Sequence, residues 1–216
     1  VTAGGEAAVP DPAALPPSPG AGVLNAANAL TFARLLLVPV FVALLVAGTG
    51  HETGWRVAAW GAFAVASFTD RFDGEIARRR GLVTSVGQIA DPIADKALTG
   101  AALIGLSALG DLPWWVTVVV LAREVGVTLL RFWVIRHGVI PASRGGKLKT
   151  LLQGVAIGLY VLPLSGLLAS LRWWLMAVAV VVTVATGADY VLRAVRLRRT
   201  SARAELKRAR RAAARR

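Results

Sequence analysis

Four carboxylates stand at fixed spacing inside an otherwise apolar polypeptide: Asp70, Asp73, Asp91 and Asp95. The run Asp70-Arg-Phe-Asp73-Gly74-Glu-Ile-Ala77-Arg78 is followed, eight residues later, by Gly87 and then by the second pair. Ionisable side chains beside membrane-length apolar segments are costly to keep, so they read as functional. On a helix, Asp70 and Asp73 are three apart and Ala77 is four further on, which puts all three on one face. Asp91 and Asp95, four apart, share a face in the same way. Gly74 removes a side chain where a phosphate could approach the backbone closely. The stretch Arg78–Ser85 has the length and polarity that join antiparallel helices, and such a turn brings both carboxylate pairs to one end of a helix pair. Four hard oxygen donors in one place suit Mg²⁺ or Mn²⁺ rather than zinc. Arg78 adds a fixed cation suited to a phosphate.

The elements that must position these groups are membrane-spanning helices. The chain has 216 residues, 56% of them hydrophobic, with a mean hydropathy of +0.60. That balance is too apolar for an ordinary soluble domain and predicts an all-α, polytopic bundle of six transmembrane helices. Apolar spans run over about Ala29–Ala47, Trp55–Arg79, Gly87–Leu109, Pro113–Val134, Lys147–Leu168 and Trp173–Val195. Pro39 predicts a bend in the first. Only thirteen uncharged residues separate Arg56 from Asp70, too few for a crossing of ~20 residues. The second helix must therefore continue through Asp70 and Asp73, which puts the carboxylates at a membrane interface. Arg123, Glu124 and Arg131 interrupt the fourth span and are expected to point into the bundle. Residues 1–24, rich in Ala, Gly and Pro, are expected to be disordered and not to act as a signal peptide. Residues 25–197 form the membrane domain and 198–216 a basic tail.

The net charge of +13 is concentrated. Residues 193–216 hold eleven Lys or Arg against one acid, Glu205. This reads as a cytoplasmic segment against anionic lipid or as a plain topology determinant, rather than as a nucleic-acid site. Basic residues also fill the connections after the second span (Arg78, Arg79, Arg80) and after the fourth (Arg136, Arg144, Lys147, Lys149), whereas Gly48–Gly54 and Gly110–Leu112 have none. The connection near Ser170 has only Arg172. The basic side is cytoplasmic, so both termini and the carboxylates are expected there. Cysteine is absent, which excludes disulfides, thiolate metal sites and a cysteine nucleophile. His51 and His137 lie far from the carboxylates, and a histidine triad is not expected. Trp55, Trp114, Trp115, Trp173 and Trp174 sit at span ends as an aromatic belt.

The pattern D-x2-D-G-x2-A-R-x8-G-x3-D-x3-D resembles the signature of the CDP-alcohol phosphatidyltransferases, and all eight of its fixed positions are filled. Asn28-Ala-Leu-Thr-Phe-Ala-Arg34, Asp91-Pro-Ile-Ala-Asp-Lys96, Ala122-Arg-Glu124 and Gly146-Lys-Leu-Lys-Thr150 extend the resemblance to roughly residues 25–195. They are most like the bacterial branch whose acceptor is glycerol 3-phosphate. Arg71-Phe72 stands where that branch more usually has Trp-Leu, and Gln88 where Lys is common. The resemblance implies attack of an acceptor hydroxyl on the β-phosphoryl of CDP-diacylglycerol, with CMP leaving. It implies that Asp70, Asp73 and Asp91 bind Mg²⁺ or Mn²⁺, two ions per site. Asp95 would take the proton from the acceptor hydroxyl and touch the second ion. Asn28, Thr31, Gly74, Ala77, Arg78, Thr84 and Gly87 would line the CDP-diacylglycerol pocket. The resemblance also implies a homodimer in a bacterial plasma membrane.

Glycerol 3-phosphate is a dianion near neutral pH, and a cationic cradle is needed to hold it. Arg123, Lys147 and Lys149 are the candidates. Each has a plainer reading: the lysines as positive-inside anchors, Arg123 as a partner of Glu124 or of another helix. Lysines two apart on a helix point different ways, so one should matter more, and Lys147, nearer Gly145-Gly146, is the expected one. Within the family, cardiolipin synthase and phosphatidylinositol phosphate synthase would share the four aspartates. Outside it, a cation transporter or a non-catalytic membrane anchor would explain acids in a membrane or a basic tail. Neither explains Gly74, Ala77, Arg78 and Gly87 at fixed spacing.

Overall fold

The computed structural model describes residues 26–80, 85–134 and 144–200; within these, the side chains of 26–30, 70–80, 85–92, 95, 131, 132, 134, 144–147 and 198–200 are not described. The N-terminal segment 1–24 and tail residues 201–216 therefore lie outside the described residues. All regular structure among the described residues is helical: α1 (Ala26–Val46), α2 (Thr53–Arg80), α3 (Ser85–Ala108), α4 (Trp114–Val134), α5 (Arg144–Val161) and α6 (Gly166–Thr200). A single 3₁₀ turn, Gly48–Gly50, joins α1 to α2. α2 runs unbroken for 28 residues through Asp70 and Asp73, as the short uncharged stretch after Arg56 requires. Pro39 lies inside α1, which continues past it to Val46.

Local chemistry sets the breaks. Gly48, Thr49 and Gly50 all have positive φ (53°, 67° and 79°), a conformation that reverses the chain sharply and that glycine adopts without strain. Between α3 and α4 the turn passes through Gly110, and Val116 N donates to Pro113 O at 3.0 Å in the first turn of α4. Hydropathy alone carries the fifth span to Leu168, but α5 ends at Val161 and α6 begins at Gly166. Pro163 explains the difference. It lacks an N–H and disfavours helix at Leu162, so one apolar run is cut and the sixth helix starts earlier than its hydropathy suggests.

The six helices share one core. α1 packs on α2 and α3, α6 packs on α4 and α5, and α5 also touches α2 and α3. Phe41, Leu45, Phe63, Leu103, Leu106, Ile157 and Tyr160 meet there, with Phe41 and Phe63 ring centroids 5.7 Å apart. Small residues set the spacing. A Cβ on Gly105 of α3 would lie 2.7 Å from the Leu45 Cδ2 methyl of α1, so glycine lets that methyl sit directly against α3. Ser107 and Thr117 hydroxyls meet at 2.7 Å, and Thr117 Oγ1 donates to Leu103 O at 3.1 Å. These bonds satisfy the buried hydroxyls between α3 and α4.

One end of the bundle is tied by a buried arginine. Arg56, at the start of α2, donates from Nε to Gly50 O (2.6 Å) and from one terminal nitrogen to Tyr160 O of α5 (3.4 Å). Its other terminal nitrogen pairs with Asp111 in the α3–α4 turn. His51 Nε2 lies 3.5 Å from the second oxygen of Asp111, and Arg172 of α6 stands 5.0 Å over the Tyr160 ring. The connections α1–α2, α3–α4 and α5–α6 thus gather at one end. In an up-and-down bundle the aspartate-bearing ends of α2 and α3 lie at the other.

Outward surfaces are apolar. Leu36 and Val40 on α1, Val57 and Val65 on α2, Ile104 on α3, Val118 and Leu129 on α4, and Val181 on α6 are exposed. α6 is long and apolar enough to cross a membrane over Gly166–Leu197; α1, α3 and α5 carry shorter apolar stretches of Thr31–Val46, Lys96–Ala108 and Leu148–Val161.

Candidate active site

Both carboxylate pairs stand on helices that touch each other. Asp70 and Asp73 are three apart on α2, Asp91 and Asp95 four apart on α3. Helical spacing puts each pair on one face. α2 continues to Arg80 and α3 begins at Ser85, so the link between them is shorter than the eight-residue connection read from polarity. Gly74, Ala77 and Arg78 belong to α2 and Gly87 to α3. The side chains of these residues and of the four aspartates are not described, and Thr84 lies outside the described residues. Asn28 is on α1, its side chain likewise not described. Thr31, one turn before Arg34, is buried.

Beside this motif lies a cavity of about 520 Å³, walled mainly by α2, α3, α4 and α5. Its α2 wall runs from Trp60 to Phe68, two residues short of Asp70; its α3 wall includes Lys96, next in the chain to Asp95. The α5 wall extends from Lys149 to Leu159, with Leu162 just past the helix end, a helical length of about 15 Å. Apolar residues such as Phe63, Leu98, Leu121 and Leu159 line most of it. Among the described residues, four charged side chains do as well: Arg34, Lys96, Glu124 and Lys149.

Polar contacts fix these charges across helices. Lys96 Nζ donates to Thr128 Oγ1 of α4, which donates to Glu124 O at 2.8 Å. Lys149 Nζ pairs with Glu124 Oε1, and the same oxygen accepts from an Arg123 terminal nitrogen at 3.1 Å. Arg123 donates onward to Thr186 Oγ1 of α6 at 3.2 Å. A Cβ on Gly187 would lie 3.0 Å from Arg123 Cγ, so the α6 glycine makes room for the arginine stem. Arg34 and Lys149 are 2% and 5% exposed. Buried cations without solvent are held only where anions or dipoles compensate them, and the described charged residues of the lining, three cations to one carboxylate, favour an anion on that wall.

Of the three predicted acceptor cations, the structure brings Lys149 to the cavity. Arg123 points toward α6 and pairs as its plainer reading anticipates; Arg123 and Glu124 both turn inward. The Lys147 side chain is not described. Arg34, Lys96 and Glu124 are the cavity residues missed from the sequence. The first two had a signal, since Arg34 follows Thr31 by one turn and Lys96 adjoins Asp95. Glu124 had none that reaches across 25 residues to Lys149.

A family model described as CDP-alcohol phosphatidyltransferase matches residues 24–185. The chain belongs to the CDP-alcohol phosphatidyltransferase family. This phosphatidyltransferase is 61% identical over 176 residues to the probable phosphatidylglycerophosphate synthase of Mycobacterium tuberculosis (strain H37Rv), covering 82% of this chain and 84% of that protein. It is 38% identical over 184 residues to the CDP-diacylglycerol–glycerol-3-phosphate 3-phosphatidyltransferase of Bacillus subtilis (strain 168), covering 78% and 94%. A CMP-forming cardiolipin synthase of Streptomyces coelicolor is 35% identical over 122 residues, covering 55% of each chain. As a phosphatidyltransferase the chain is an enzyme of phospholipid synthesis, which sets aside the transporter and anchor readings. Its cavity has the form such a substrate asks for, an elongated apolar groove joined to cationic groups beside the carboxylate helices.

Proposed function

We propose that this enzyme transfers the phosphatidyl group of CDP-diacylglycerol to sn-glycerol 3-phosphate, releasing CMP and forming phosphatidylglycerophosphate. The observation that carries the reading is the cavity beside α2 and α3, where Arg34, Lys96 and Lys149 line one continuous space with apolar walls. A dianionic acceptor and an anionic diphosphate both match its charge. The names of the relatives from Mycobacterium tuberculosis and Bacillus subtilis support the choice of acceptor.

The acceptor hydroxyl oxygen bonds to the phosphorus that carries diacylglycerol, and the bond from that phosphorus to the CMP oxygen breaks. Asp95 accepts the hydroxyl proton; CMP leaves as the anion. Asp70, Asp73 and Asp91, with Asp95, would hold Mg²⁺ or Mn²⁺, two ions in all, and the donor set fits: hard oxygens in helical pairs on adjoining helices. Bound metal would neutralise charge on the diphosphate and the reacting phosphoryl oxygens. Asn28, Thr31, Gly74, Ala77, Arg78, Thr84 and Gly87 are assigned to the CDP-diacylglycerol pocket. Lys147, Lys149 and Arg123 are assigned to the acceptor side, Lys149 as cavity wall and Arg123 through its pairing with Glu124.

The enzyme belongs, in this reading, to a bacterial plasma membrane, with six crossings, both termini and the site in the cytoplasm, and two copies per assembly. Apolar outer faces on α1, α2, α3, α4 and α6 support immersion in lipid. The pinning of three connections at one end supports a common side for the basic connections and the aspartates.

An acceptor panel tests the proposal. Purified protein, CDP-diacylglycerol and Mg²⁺ are combined with glycerol 3-phosphate, inositol 3-phosphate, serine or phosphatidylglycerol, and CMP release is measured. Glycerol 3-phosphate should give the highest kcat/KM. Preference for phosphatidylglycerol would make the enzyme a cardiolipin synthase instead.

A further inference from the structure

Glu124 is the one carboxylate among the described residues that line the cavity. On charge alone it is out of place there, because it repels any phosphate the surrounding cations attract. Its contacts account for it. One oxygen, Oε1, accepts from Lys149 of α5 and from Arg123 of α4. Arg123 is itself anchored to Thr186 of α6 and seated over Gly187. The chain Thr186–Arg123–Glu124–Lys149 therefore spans three helices and ends on a cavity cation. Lysine is a flexible four-carbon stem with a point charge, and fixing it in one place costs conformational entropy. An arginine-held carboxylate meets that cost in advance, before any ligand arrives.

We propose that Glu124 is a positioning residue for the acceptor phosphate: braced by Arg123, it holds the Lys149 ammonium at the cavity wall where the phosphate of the acceptor binds. This rests on the acceptor assignment above. It also gives Arg123 a part in acceptor binding without contact with the acceptor.

The test compares Glu124→Gln, Glu124→Asp and Lys149→Gln with the unaltered enzyme. KM for glycerol 3-phosphate, KM for CDP-diacylglycerol, kcat and apparent Tm in detergent are measured for each. Glu124→Gln keeps the size and removes the charge. It should raise KM for glycerol 3-phosphate at least about tenfold, the scale of one charge-assisted hydrogen bond. KM for CDP-diacylglycerol should stay within about twofold. Glu124→Asp keeps the charge and should recover part of the loss. In the Lys149→Gln background, Glu124→Gln should have little further effect on acceptor KM. A lower acceptor KM in Glu124→Gln would show that the carboxylate only repels the phosphate, and would overturn the proposal. Equal rises in both KM values with a fallen Tm would reduce Glu124 to a structural clamp and overturn it as well. Unaltered enzyme that releases no CMP with glycerol 3-phosphate would instead refute the acceptor assignment on which the proposal stands.

Discussion

At the scale of single residues, the proposed chemistry rests on four carboxylates acting together. Asp70→Asn, Asp73→Asn, Asp91→Asn and Asp95→Asn should each lower turnover by at least about a hundredfold, the usual scale for losing a charge-stabilising or acid–base group. The first three should also shift the Mg²⁺ dependence of the rate, read from a metal titration. Near-normal activity in Asp95→Asn would remove it as the base. The acceptor side makes a sharper comparison. Lys149 is buried in the cavity wall and ion-paired. Lys149→Gln should raise KM for glycerol 3-phosphate more than Lys147→Gln does, with both leaving KM for CDP-diacylglycerol nearly unchanged. The reverse order would return the role to Lys147, the lysine favoured by its place beside Gly145-Gly146. The motif itself was legible because its residue types and intervals are unusual in an apolar chain. Glu124 was not, because its meaning comes from Lys149 and Arg123, and only the packing of α4 against its neighbours creates that group.

At the scale of elements, the continuation of α2 past its apolar part follows from counting. Too few uncharged residues lie between Arg56 and Asp70 for the helix to stop before the aspartates, and it runs to Arg80. The end of α5 was not legible from hydropathy, since Leu162 and Leu164 keep the profile high across Pro163. A backbone rule decided that boundary where an apolar average could not. Close packing of α1 against α3 is likewise invisible until the helices are placed together. Gly105→Val should clash with Leu45 and lower stability by about 1–3 kcal/mol, the range for overpacking a core. The check is a fall in apparent Tm in detergent, with Gly105→Ala much milder because the Leu45 methyl can rotate away. No change in Tm for the valine variant would mean that the helices separate freely at this point.

At the scale of the whole molecule, the expected orientation follows from charge. The polybasic tail and the connections after α2 and α4 should all face the cytoplasm. A reporter fused after Arg216 should therefore report a cytoplasmic location, and labels placed at Gly48–Gly50 and Gly110 should be reached only from outside. A C-terminal reporter on the outer side would overturn both the six-crossing topology and the placement of the site.

The buried arginine at the start of α2 has a mechanical consequence. Asp73 lies seventeen residues along the same helix from Arg56, about 25 Å at the helical rise. With one end clamped, the helix behaves as a lever whose fulcrum is the guanidinium. A tilt of about 5° would carry the far end about 2 Å, and misplacement of about 1 Å can cost a hundredfold in rate. Arg56→Met should therefore depress kcat without any contact with substrate, while KM changes little. The accuracy of the proposed chemistry on one side of the bundle would then be guarded from the other.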